Sequence, residues 1–194
     1  HGNLPRFQYV LGQLYQLQGD KKAARHAYEK VLKLQPDSEM DFNTRLQLAQ
    51  LEASPMAAVT LLTKMAKQDK NKDRLDQIYG TLGDILLAQG DTTKALEYYA
   101  KGIEGSTKNG MSKATALITA GDIYYQQRDY VSASPCYKEA SQILTVQHED
   151  YKRIQRRSET LDALVVEYST VQLQDSLQQL ATLSEEDQLK VVEK

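Results

Sequence analysis

One cysteine, four prolines, three histidines and a net charge of −2 over 194 residues narrow the reading at the outset. A lone Cys136 excludes an internal disulfide framework, although it does not fix the redox compartment. With 24 Lys and Arg against 26 Asp and Glu, no overall field favours nucleic acid or acidic lipid. No apolar run approaches the ~18 residues of a membrane span. Few prolines and few Gly/Ser clusters leave no room for a long flexible linker. His1, His26 and His148 are scattered, without HExxH or Cys/His spacing, so no metal site is expected. No glycine-rich phosphate loop is present, Cys136 has no histidine base near it in sequence, and Glu185-Glu186 reads as a solvated helix start. No cofactor and no catalytic residue is therefore expected.

What the sequence does contain is a recurring small-residue pattern. Tyr79 to Ile103 predicts a helix, a tight Gly-Asp turn and a second helix folded back on the first. Leu82, Ile85, Leu86 and Gln89, then Ala95, Leu96, Tyr99 and Ile103, hold helical spacing. Gly83 inside the first helix costs roughly 1 kcal/mol against alanine. Close approach of the second helix would offset that, with Ala95 as the matching small residue. With Gly83 as the eighth position of a unit of about 34 residues, 76–109 carries Leu82, Gly83, Gly90, Asp91, Ala95 and Tyr99. Residues 5–38 carry Leu11, Gly12, Tyr15, Gly19, Asp20, Ala24, Tyr28 and Pro36, and 114–147 carry Ala120, Gly121, Tyr124, Asp129, Ala133, Tyr137 and Ala140. In a degenerate unit, 39–72, Leu46 replaces the glycine while Ala49, Ala58, Leu62 and Met65 keep the phase. Inserts at 73–75 and 110–113 separate the later units. The pattern is that of the tetratricopeptide repeat (TPR). The resemblance implies an all-α, TPR-type α-solenoid of antiparallel helix pairs, a right-handed superhelix with a concave face.

Along the chain, a first helix is expected over about Pro5–Gln18 and a second ending near Leu34, with Pro36 as a stop. Asp20, Asp91 and Asp129 are expected to cap the helices that follow them, and Ser54-Pro55 to start another, with serine as the cap. That helix should reach about Gln68, and Asp69–Arg74 should form a turn. Pro135 falls within the second helix of the unit 114–147, either inside its first turn or as a kink. After Gln147 the pattern fades. Two helices are expected, 149–170 and Leu173–Leu183, as a divergent fifth pair or a cap within 148–194, with Ser184 and Asp187 starting a further helix. The start at His1 without Met and the interrupted helix at Lys194 suggest a piece of a longer chain.

Binding is the function this architecture serves. By the resemblance, the groove is lined by Arg6, Tyr9, Gln13, Gln16 and Leu17, then Met40, Asn43, Gln47, Gln50 and Leu51. The later units add Gln77, Gly80, Asp84, Leu87 and Ala88, and Thr115, Ile118, Asp122, Tyr125 and Gln126. The Lys, Asn and Arg set that clamps a C-terminal carboxylate in one subset of the family is missing, and Asp84 and Asp122 stand there instead. A mixed polar-aromatic peptide, with a basic residue facing the two aspartates, fits better than an acidic tail. The plain alternative is that these side chains only solvate an unused face. Lys152, Arg153, Arg156 and Arg157 form a basic patch, read as a solvated helix face or as a docking point for an acidic partner or phospholipid headgroups. It is too small and too poor in aromatics for nucleic acid.

The passages QQRDYVSASPCYKEAS, RRSETLDALVVEY and VQLQDSLQQLATLSEEDQ carry a narrower resemblance. They are similar to the large TPR lipoproteins of Bacteroidota that support type IX secretion and gliding motility. The match runs through Arg157, Ser158, Leu161, Asp162, Leu164 and Val165. It continues through Leu173, Gln174, Asp175, Ser176, Leu177, Leu180 and Ala181. The resemblance implies a non-catalytic scaffold in an envelope assembly, held at the outer membrane by a lipidated cysteine upstream and facing the periplasm. A cytoplasmic sensory or regulatory TPR module of a larger signalling protein is the other reading. An upstream lipoprotein signal or a downstream signalling domain in the full reading frame would tell them apart.

Overall fold

The computed structural model describes residues 3–181, and among them all regular structure is helical. The chain divides into two compact units, one to Ala116 and one from Leu117.

The first unit contains α1 (Leu4–Leu17), α2 (Lys21–Lys33), α3 (Ser38–Gln50), α4 (Pro55–Ala66), a 3₁₀ segment (Asp69–Arg74), α5 (Leu75–Ala88), α6 (Thr92–Glu104) and the start of α7 (Met111–Gln126). The predicted hairpins α1–α2 and α5–α6 form as closely packed pairs. Their turns show why Gly-Asp recurs. Gly19 and Gly90 sit at φ +79° and +80°, and the next N–H, on Asp20 or Asp91, reaches back to Tyr15 O or Leu86 O at 2.9 and 3.0 Å. This left-handed C-terminal motif satisfies carbonyls that the helix end would leave unpaired. The same aspartates then cap the following helices, Asp20 accepting from Ala23 N at 2.9 Å and Asp91 from Lys94 N at 3.2 Å.

The degenerate pair α3–α4 replaces glycine and tyrosine with Leu46 and Leu62, which join Phe42, Ala49, Met65, Ile78 and Leu82 in one apolar core. Its starts differ from expectation in one respect. Pro55 does occupy the first turn of α4, but the Ser54 side chain makes no capping bond, and the backbone Ser54 carbonyl alone accepts from Ala57 and Ala58. Asp37, which the sequence reading passed over, caps α3 through Met40 N at 2.8 Å. In the 3₁₀ segment, buried Asn71 donates to the Met65 carbonyl at 2.8 Å and ties the turn to the end of α4.

The second unit contains the rest of α7, α8 (Tyr130–Ile143) and α9 (Tyr151–Ala181). Asp129 caps α8 through Ser132 N at 3.1 Å, as expected. At the preceding turn Arg128 takes the left-handed position, φ +62°, that glycine holds in the other two. Pro135 is the sixth residue of α8, past the first turn, so the first-turn placement is corrected: Tyr130 already begins the helix. The expected break between 170 and 173 is also corrected. One helix runs through Tyr151–Ala181, because Ser169-Thr170-Val171-Gln172 supplies neither glycine nor proline to end it. Leu183 and the start at Ser184 and Asp187 lie outside the described residues.

Candidate functional site

Each glycine-bearing hairpin in the described residues is organised around a tyrosine from its second helix. Tyr28, Tyr99 and Tyr137 are almost fully buried, at 0%, 1% and 0% exposure. The space each ring fills is the space a side chain on the partnering glycine would need. A Cβ on Gly12 would lie 2.6 Å from the Tyr28 ring, and one on Gly121 would lie 3.1 Å from that of Tyr137. On Gly83 it would overlap the Tyr99 ring. The expected partner of Gly83, Ala95, is buried in the same hairpin but is not what approaches it. The ring passes the glycine and delivers its hydroxyl to the first helix. Tyr28 donates to Gln16 at 3.0 Å, Tyr99 to Asp84 at 2.7 Å and Tyr137 to Asp122 at 2.5 Å. Burial pushes all three phenols up, Tyr28 to about 12, and the adjoining carboxylates push Tyr99 and Tyr137 further.

In the first unit the groove positions form a mixed polar surface. Tyr9 is half-buried against Tyr28, ring centroids 5.6 Å apart, and burial raises its pKa against the opposing hydrogen bond to Gln47. Gln13, Gln16 and Gln47 line a recess of about 440 Å³ with Val10, Leu14 and Leu17. Gln16 also reaches the Gln50 side chain at 3.5 Å. Asn43 and Leu87 are half-buried, whereas Gln50 and Asp84 are exposed. Although Asp84 is accessible along one edge, crowding around its carboxylate raises its pKa, and the Tyr99 hydroxyl acts in the opposite direction. Leu51, also expected at the groove, is 7% exposed and packs with Ala24 and Tyr28.

In the second unit the two sequence-predicted sites collapse into one cluster. Asp122 accepts from Arg153 Nη1 through both oxygens, at 2.8 and 3.1 Å, and from Arg157 Nη1 through Oδ1. Arg157 also donates to the Tyr137 hydroxyl at 2.7 Å and lies 4.5 Å from the Tyr125 ring centroid. Arg153 is further held by Asp150 at 2.7 Å. Two members of the predicted basic patch thus face inward, while Lys152 and Arg156 remain exposed. Asp122 is occupied by these arginines, so it does not present a free carboxylate to a basic ligand. Tyr125 keeps an exposed edge, and Ile118, also expected at the groove, is 9% exposed.

The signal for these pairs was in the sequence. Asp84–Tyr99 and Asp122–Tyr137 share a separation of 15 residues, and each aspartate directly follows the glycine that admits the ring. Nothing local marks Arg153 and Arg157 as their partners, since those contacts span 31 and 35 residues. No group of three or more potential metal ligands occurs among the described residues, and none of their helices is long and apolar enough to cross a membrane. His26 is exposed. His148 accepts from Asp150 N through Nδ1 at 3.1 Å.

Comparison with known proteins agrees with the helix pairing. Tetratricopeptide repeat family models match residues 5–38 and 74–145. A search of curated proteins gives no significant match. Among solved structures, BtubC (BKLC) from P. vanneervenii is similar with a TM-score of 0.63 and 18% identity, over 89% of this chain and 77% of that one. The MamA protein aligns over 95% of this chain and 98% of its own, at 19% identity and a TM-score of 0.48, which is too low to support an argument. The fold is an all-α, TPR-type α-solenoid, and over residues 5–38 and 74–145 the chain belongs to the tetratricopeptide repeat family.

Proposed function

We propose that this protein is a non-catalytic scaffold that holds partner proteins or peptides on the first-helix faces of its repeats. The observation that carries the reading is the first unit's surface. Gln13, Gln16 and Gln47 line one recess, with Gln50 beside them and Tyr9, Asn43 and Leu87 partly accessible. Amide side chains that can donate and accept, set beside exposed Leu14 and Leu17, suit an extended or helical peptide of mixed character. They do not suit a carboxylate clamp, which needs fixed cations. No ligand for a cofactor or a metal enters this reading, nor does nucleic acid.

The test is crosslinking capture from native envelopes with Gln13→Arg/Gln50→Arg as the variant. Loss of captured partners with an unchanged melting curve supports the groove, and undiminished capture removes it. The finer setting, a Bacteroidota type IX secretion or gliding assembly with an upstream lipid anchor at the periplasmic face of the outer membrane, is supported by the resemblance through residues 157–181 alone. Membrane fractionation of the full-length protein tests it. Recovery in the soluble cytoplasmic fraction would overturn it in favour of the regulatory module.

A further inference from the structure

The equivalent aspartates Asp84 and Asp122 occupy the same repeat position and accept from equivalent tyrosines, yet their surroundings differ in one respect. Asp122 carries two guanidinium groups supplied by α9. Asp84 has the Tyr99 hydroxyl, and no Lys or Arg pairs with it among the described residues. Instead it borders a recess of about 250 Å³ whose walls come from α3, α5, α6 and the first turns of α7. Asp76, Gly80 and Asp84 succeed one another along α5 at a spacing of four, on one face of the helix. Asp76 is only 9% exposed and lines this recess, and its side chain has no hydrogen bond or ion pair among the described residues. Between the two acids, Gly80 leaves open space where a side chain would stand.

We propose that this recess binds the guanidinium group of an arginine side chain from a partner protein, a reading that rests on the scaffold function and names the chemistry it selects. The second unit displays the mode of recognition. There Arg153 meets both oxygens of an aspartate, and Arg157 lies by the ring of the tyrosine that hydrogen-bonds the same aspartate, 5.4 Å from its centroid. In the first unit the aspartate and tyrosine are retained and Asp76, 9% exposed, stands on the same helix face, but among the described residues no guanidinium pairs with either acid. A planar fork of donors can meet the Asp84 carboxylate, which a compact ammonium does less well, while Asp76, two turns away along α5, adds a second negative charge to the same recess. Burial raises the pKa of Asp84, and the charge of an arriving cation offsets that cost. Ser112 and Thr115 line the α7 side of the recess.

The test is an NMR titration of the isotope-labelled 194-residue chain with acetyl-Gly-Arg-Gly-amide, alongside its lysine and citrulline counterparts. The arginine peptide should shift amides in the first turns of α5 and α7, the lysine peptide should bind more weakly, and the uncharged citrulline peptide should not bind. Asp84→Asn and Asp76→Asn should each weaken binding by at least about tenfold. Gly80→Leu should block the recess without changing charge. Shifts scattered over other acidic positions, equal response to citrulline, or binding that survives both Asn variants would overturn the assignment. The outcome separates from that of the scaffold reading. A peptide that fails while native partners are still captured sinks the recess alone, and the reverse result sinks the groove alone.

Discussion

The Tyr99 ring fills the volume that a side chain on Gly83 would require, and its hydroxyl passes that glycine to reach Asp84 at 2.7 Å. The glycine, the ring and the carboxylate form one device, repeated with Gly121, Tyr137 and Asp122. It accounts for a helix-interior glycine that is unfavourable by itself.

Two glycines on α5 should therefore respond with opposite sign. Gly83→Ala forces a methyl group into a buried ring whose hydroxyl is pinned, at about 1–3 kcal/mol, with only about 1 kcal/mol returned by helix propensity. A net loss of up to about 2 kcal/mol is expected. Gly80→Ala points into open space and should be neutral or stabilising by up to about 1 kcal/mol. Urea denaturation of both variants checks the contrast.

Asp122→Ala should cost more than Asp84→Ala. Removing Asp122 takes a carboxylate from two arginines that are about two-thirds shielded and an acceptor from the buried Tyr137 hydroxyl, for a loss of about 1–2 kcal/mol after screening. Removing Asp84 forfeits one hydrogen bond, worth about 0.5–1.5 kcal/mol. Hydrogen exchange should show faster opening of the first turns of α9 in the Asp122 variant and no change there in the Asp84 variant.

Stability should fall in alkali. Tyr28, Tyr99 and Tyr137 have pKa values raised by burial, so their contribution is complete below the unfolded value of 10.0 and is lost as pH rises above it, towards about 12 for Tyr28. Each phenol that keeps its proton in the fold costs at most about 1.4 kcal/mol per pH unit in that window. Denaturation midpoints should be flat between about pH 8 and pH 9.5 and then drop. A midpoint that stays constant from about pH 9.5 to about pH 11 would contradict this.

Cys136 should be unreactive in the native state. Burial first, and Glu139 second, push its thiol up to about 11, and the S–H donates to the Ser132 carbonyl at 3.4 Å. Thiol-disulfide labelling at about pH 8 should run roughly a hundredfold slower than for an exposed cysteine and recover on unfolding.

The sequence by itself determined the glycine-bearing helix pairs, their turns and the caps at Asp20, Asp91 and Asp129, because these rest on interactions within a few residues. Gly-Asp supplies the left-handed turn and the acceptor for the next helix, and Gly12, Gly83 and Gly121 mark the hairpins at a constant phase. It could not reveal that tyrosine, not Ala95, fills the gap at Gly83, since a small residue predicts closeness without naming what comes close. It also placed Arg153 and Arg157 on an outward patch by helical spacing. That spacing says they share a face but not which way the face is turned. Tertiary structure alone decided that this face meets Asp122, and that Asp84, at the same repeat position, is left with a tyrosine and an open recess. Charge pairing across 31 and 35 residues depends on how whole helices pack, and no local pattern encodes it.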